Sequence, residues 1–165
     1  MKNTIRVLVI MMLFSACKKG NNVAPSDSEN NSVETVETIK QIKDNLTSKG
    51  FKIFDYVDEN TQDTVIMQQY FIAFLKRGPI RNQNEEEANA LQTAHLAHLG
   101  KMYDLGYADI SGPFGDDGII RGITIYNTAT IEMADSLANS DPMVKAGRLE
   151  IEIHPWWAAK GFPLR

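Results

Sequence analysis

Three histidines and a single cysteine are the residues of this chain whose types and placement could do chemistry. His95 is the most telling histidine. In the helical stretch 85–105, with about 100° of turn per residue, Ala88, Leu91, His95, Leu99 and Met102 fall on one face. His95 stands in the middle of that apolar face, where the pattern alone expects a leucine. A buried imidazole must find a hydrogen-bond partner or lose about 1–3 kcal/mol. A backbone carbonyl would make it a structural core histidine. A carboxylate would fix its tautomer and stabilise its cation, which is how a general base is prepared. Asp141 precedes Pro142, and Gly147 follows six residues after the aspartate. That is the pattern of a helix N-cap followed by proline at the first helical position.

Other side chains offer less. His98 follows His95 by three residues and could converge with it on a metal ion, but two histidines make half a site. At about 60° from the centre of the apolar face it reads as a boundary residue. His154 shares a strand face with Glu150 and Glu152, a row that could line an interior or face solvent. Trp156 and Trp157 could wall a pocket or pack in an interface. Lys76-Arg77-Gly78-Pro79 could hold an anion at a strand end, though exposed charges beside a turn are the default. Asp116 and Asp117, flanked by Gly115 and Gly118, read as a hairpin turn before they read as a metal site. No metal and no cofactor is expected from this set.

Cys17 closes a leader. Lys2 and Arg6 precede an uninterrupted apolar run over residues 7–13, then Phe14-Ser15-Ala16-Cys17. Positive charge, a short greasy core and small residues before a cut are the parts of an export signal. The apolar run is about ten residues, against roughly 20 for a spanning helix. Ser15-Ala16-Cys17 resembles the end of a bacterial lipobox, with Phe14 where leucine is usual, so residues 1–16 are expected to be removed and Cys17 acylated. Lys18 after the cysteine favours the outer membrane, on its periplasmic side. The expected location is therefore the bacterial cell envelope.

The chain carries 17 basic and 21 acidic residues, a net charge of −4. Loss of Lys2 and Arg6 with the leader makes that −6. The balance argues against nucleic acid, which needs a basic face, and against electrostatic docking on anionic lipid. Membrane attachment should rest on the lipid at Cys17 alone. With one cysteine there is no disulfide within the chain and no Cys/His zinc pattern. Roughly 130 residues remain for one packed core.

The elements that must position these groups follow along the chain. Residues 17–33, rich in Asn, Ser, Gly and Lys, read as a tether. A helix is expected over 34–49, stopped by Gly50, then β-type runs at 51–57 and 64–75 around a turn-rich 58–63. Gly78-Pro79 ends the second run. The long helix 85–105 opens on three glutamates and closes at Gly106. Strands follow near 108–113 and 118–127, then a helix capped by Thr130, a short turn from Asp141 to Gly147, and an alternating strand at 148–154. From residue 70 the order is βαββαβ, an α+β ferredoxin-like domain, with residues 34–69 as an added helix and hairpin. Two helices cover only one face of such a sheet.

Several segments in this frame resemble a known family: Thr93-Ala94-His95-Leu96-Ala97-His98-Leu99, Ser111-Gly112-Pro113-Phe114, Ser140-Asp141-Pro142-Met143-Val144-Lys145-Ala146-Gly147 and Glu152-Ile153-His154-Pro155-Trp156-Trp157. In order and spacing, over residues 70–161, they look like the YciI (YCII-related) family. The resemblance implies a dimeric α+β barrel for residues 70–165, in which two ferredoxin-like protomers close their sheets on each other. It also implies a His-Asp pair in a pocket, the histidine falling on His95 and the aspartate on Asp141. Relatives include a dehydrochlorinase of chlorinated aromatics, and most have no assigned reaction, so the resemblance speaks more to fold than to activity. The expected function is cofactor-free acid/base chemistry on a small organic molecule, by elimination, isomerisation or hydrolysis. The alternative is a non-catalytic ligand-binding or protein-interaction module of the envelope. A homodimer and an unidentified small-molecule ligand are the expected partners.

Overall fold

The computed structural model describes residues 37–162 and 164. The expected leader, Cys17 and the tether lie outside the described residues. Helix α1 (Ile39–Ser48) begins at a capping box. The Thr38 side chain accepts from the Gln41 N–H, and the Gln41 side chain accepts from the Thr38 N–H at 2.8 Å. That reciprocal pair places the helix start at Ile39, later than the expected residue 34.

Strands β1 (Ile53–Val57) and β2 (Thr64–Arg77) form an antiparallel hairpin. Its turn is organised by Asp58, which accepts N–H groups from Thr61 at 3.0 Å and Asn60 at 2.9 Å. These bonds hold the Asp58 carboxyl below the usual carboxylate range. The chain continues through α2 (Glu85–Asp104), β3 (Ala108–Pro113), β4 (Ile120–Tyr126), α3 (Ile131–Asn139), the short α4 (Pro142–Lys145) and β5 (Leu149–Ala159). Asn84 caps α2 through a second capping box with Glu87, and three glutamates in its first turn suit the positive end of the helix dipole.

β2 is the axis of the sheet. On one edge it pairs first with β1 and then, from Phe71 onward, with β4; on the other edge it pairs with β5 from Met67 to Arg77. β3 lies outside β4. All pairs are antiparallel, and from β2 onward the spatial order β5-β2-β4-β3 with the chain order βαββαβ is the ferredoxin-like arrangement. The domain is therefore α+β. The hairpin extension shares its second strand with this sheet, so β2 crosses residue 70 without a break.

Strand alternation gives the sheet two different faces. Phe71 and Ala73 of β2 and Tyr126 of β4 pack against Met102 of α2 and Ala134 and Ala138 of α3. Leu75, Met143 and Leu149 form a second cluster where α4 meets the sheet. Phe71 is 4 % exposed, and its truncation to alanine is expected to cost about 3–5 kcal/mol. The opposite face presents Ile72, Phe74 and Lys76 from β2 beside Glu152, His154 and Trp156 from β5. No helix among the described residues contributes to that surface.

Two glycines bring the end of β2 against the start of β5. Gly78 donates its N–H to the Arg148 carbonyl at 3.0 Å, and a Cβ at Gly78 would stand 2.2 Å from the Gly147 carbonyl oxygen. Gly147 itself has a φ of +64°, a conformation that side chains disfavour. The close approach sets residues 77–81 beside Arg148. Among the described residues no helix is long and apolar enough to cross a membrane.

Candidate active site

His95 lies midway along α2 on the face that meets the sheet, and it is 9 % exposed. Asp141 is the N-cap of α4, with Pro142 at the first helical position, and it is 3 % exposed. Its Oδ1 accepts the Met143 N–H at 2.8 Å. Its Oδ2 stands 2.6 Å from Nδ1 of His95. One carboxylate thus caps a helix and holds an imidazole, and the capping geometry aims the second oxygen at the ring. An ionised carboxylate can only accept. The bond therefore places the proton on Nδ1 and the ring's lone pair on Nε2. Nε2 makes no hydrogen bond among the described residues.

His95 lines a cavity of about 400 Å³ between α2, the β2–α2 loop, β3 and β4. Leucines 75, 96 and 99, with Pro113 and Met143, make most of the wall apolar. Three arginines, Arg81, Arg121 and Arg148, also line it. They come from three separate stretches of chain, and the sequence pattern gave no reason to group them. The segment Ser111-Gly112-Pro113 forms part of the same wall. A base at the wall of a cavity large enough for a small organic molecule is the arrangement that proton transfer to or from a bound molecule requires.

The remaining candidates fall elsewhere. His98 is half-buried, and its Nε2 is buried without a hydrogen-bond partner among the described residues. Burial pushes its pKa down, and nearby His95, Lys145 and Lys101 push the same way against the opposing pull of Asp141. Among the described residues no three His, Cys, Asp or Glu side chains stand together as a metal-binding group. His154 is on the open sheet face, 2.8 Å from Glu152, whose other oxygen meets Lys76 at 2.9 Å. That pairing, His154 foremost, holds the Glu152 carboxyl below its ordinary range.

Trp156 packs with Tyr70 at 6.3 Å between ring centroids, and Trp157 with Phe54 at 5.0 Å. Neither tryptophan lines the His95 cavity. Burial, reinforced by Asp109, pushes the Tyr70 phenol up to about 12. Burial, reinforced by Asp141, also pushes the Tyr126 phenol upward, so it stays protonated near neutrality. Asp116 turns back to accept the Gly118 N–H at 3.4 Å, and Asp117 lies 3.6 Å from Arg121, as in a charged hairpin turn. In the Lys76-Arg77-Gly78-Pro79 segment, Lys76 is committed to Glu152 while Arg77 is exposed.

No protein-family model matches the chain, and no curated protein matches it. Among solved structures it is similar to 5-chloro-2-hydroxyhydroquinone dehydrochlorinase from Burkholderia phenoliruptrix AC1100, in complex with 2,5-dihydroxybenzoquinone. That likeness has 20 % sequence identity and a TM-score of 0.42, and covers 53 % of this chain and 92 % of the other. It is too slight to assign an activity, and the fold rests on strand order and register.

Proposed function

We propose that this chain is an envelope protein whose ferredoxin-like domain performs cofactor-free acid/base chemistry on a small organic molecule. The observation that carries this reading is the 2.6 Å bond between His95 Nδ1 and Asp141 Oδ2 at the wall of an open cavity. In the reaction, Nε2 of His95 takes a proton from the substrate or from a water, and the resulting imidazolium is stabilised by the Asp141 carboxylate. The same proton then goes to the leaving group or to the product, which returns the ring to its starting tautomer. Elimination, isomerisation and hydrolysis all fit that cycle. A positioned general base of this kind supplies about 10²–10⁴ in rate.

The test uses small carbonyl acids in D₂O, with deuterium uptake next to the carbonyl read by proton NMR. Exchange that is faster with the protein and lost in His95→Gln supports the reading. Exchange at the uncatalysed rate across the panel, or unchanged in the variant, refutes it.

One observation favours a second reading, a non-catalytic ligand-binding module. Apart from His95, the charged residues on the cavity wall are all arginines, which do not exchange protons near neutrality. Under that reading His95→Gln leaves function intact as long as the fold holds.

Two further features belong to the proposal. The YciI-like motif order and the open sheet face, with Ile72, Phe74 and Trp156 around the Lys76–Glu152–His154 group, support a homodimer closed through that face. The lipobox-like residues before Cys17 support acylation there and attachment to the envelope, the outer membrane being favoured.

A further inference from the structure

We propose that the His95 cavity takes an anionic organic molecule, its carboxylate gripped by Arg81, Arg121 and Arg148 and its apolar body laid along the leucine wall. The proposal rests on the reading that this cavity is the active site. The chain as a whole is acidic, at −4, yet three of the fifteen residues lining the cavity are arginines and none is Asp, Glu or Lys. Positive charge has been gathered here against the trend of the molecule.

The guanidinium groups are also under-used by the protein. Arg81 donates to the Arg148 carbonyl at 3.2 Å, Arg148 to the Gln83 side chain at 3.0 Å, and Arg121 to the Gly118 carbonyl at 3.3 Å. Each group has five N–H donors, so most are left for something else. Among the described residues Arg81 and Arg148 make no ion pair. Among the described residues Arg121 has Asp117 as its ion-pair partner, at 3.6 Å and with the aspartate side chain fully exposed.

Assembling like charges is unfavourable unless a counter-charge arrives. Burial, followed by the neighbouring Arg148, Arg77 and Arg121, depresses the Arg81 guanidinium. A planar carboxylate meets guanidinium forks with paired, charge-assisted hydrogen bonds, which a neutral molecule of the same shape cannot do. Leu75, Leu96, Leu99 and Met143 on the same wall give the rest of the ligand its apolar surface beside His95.

The experiment is calorimetric titration of the purified full-length chain in neutral detergent with benzoate and with benzamide, its uncharged counterpart. Benzoate should bind at least about tenfold more tightly than benzamide, about 1.4 kcal/mol. Added salt should weaken benzoate alone. Arg121→Gln and Arg148→Gln should each erase most of the preference, while Arg121→Lys, which keeps the charge, should retain part of it and shows that loss is not misfolding. Equal affinity for the two probes overturns the proposal, as does failure of benzoate to bind or a preference indifferent to the arginine changes. The acid/base reading fails separately: if His95→Gln exchanges deuterium like the parent protein, the base is wrong whatever the anion preference.

Discussion

Asp141 and His95 are joined by a single oxygen: Oδ2 of the aspartate stands 2.6 Å from Nδ1 of the histidine, while Oδ1 accepts the Met143 N–H at 2.8 Å. The two oxygens do separable work, and substitutions can take them apart. Asp141→Asn keeps an oxygen for the cap and removes the charge that stabilises the imidazolium. Its unfolding free energy should stay within about 1 kcal/mol of the parent, the scale of one net hydrogen bond, while exchange activity falls about 10²-fold or more. Asp141→Ala should lose activity equally and cost about 0.5–2 kcal/mol for the cap alone. Urea unfolding beside the exchange assay reads both. Equal stability loss in the two variants would contradict the division of labour.

His98 gives a pH prediction. Burial depresses its folded pKa below the ordinary 6.5. The unfolded chain therefore takes up a proton at a pH where the folded chain still refuses it, and stability falls as pH drops below about 6.5. Asp141 opposes this shift, and His95, Lys101 and Lys145 reinforce it. His98→Leu removes both the titration and a buried nitrogen without a partner. The variant should be no less stable than the parent at pH 7.5 and should lose less stability between pH 7 and 5. Parallel curves for the two proteins in that window would contradict the assignment.

The open sheet face gives an oligomer prediction. Phe74 and Trp156 lie on the side that no helix among the described residues covers, and Trp156 is 41 % exposed. Light scattering of the intact chain in detergent should give a dimer. Trp156→Glu and Phe74→Glu, which place charge in that surface, should each give a folded monomer. A parent protein that is already monomeric at micromolar concentration would remove the dimer from the account.

Cys17 gives a location prediction that is independent of the domain. In cells labelled with palmitate the parent chain should carry label and fractionate with membranes, and Cys17→Ala should lose the label and become soluble. Unchanged membrane attachment in the variant would refute the lipid anchor.

The sequence was most readable where local chemistry decides the structure. The three glutamates from Glu85 and the capping residue Thr130 both stand where helices start, and the alternation from Leu149 to Ile153 is a strand. The Thr38–Gln41 capping box is equally local, and it starts the first helix later than the apolar spacing from residue 34 implies. The clean alternation ends at His154, so the pattern predicts a strand only to that residue. β5 instead runs to Ala159: among the described residues it pairs with β2 alone, and an outer strand tolerates a residue without an N–H. At the site, His95 stood out as a polar residue on an apolar face, and Asp141 as a cap before proline. The arginine cluster was not legible. Arg81, Arg121 and Arg148 are joined by the β2–β4 and β2–β5 pairings and by the glycine contact at Gly78, and no short-range pattern encodes those.

The most direct measurement of the central claim is the ring tautomer of His95, read from its two ¹⁵N shifts by long-range proton–nitrogen NMR in the parent protein and in Asp141→Asn. The predicted result is a proton on Nδ1 and a bare lone pair on Nε2, and a shift in that distribution when Asp141 is replaced by Asn. A proton on Nε2 in the parent, or a tautomer indifferent to Asp141→Asn, would mean that Nε2 is not held ready as a base.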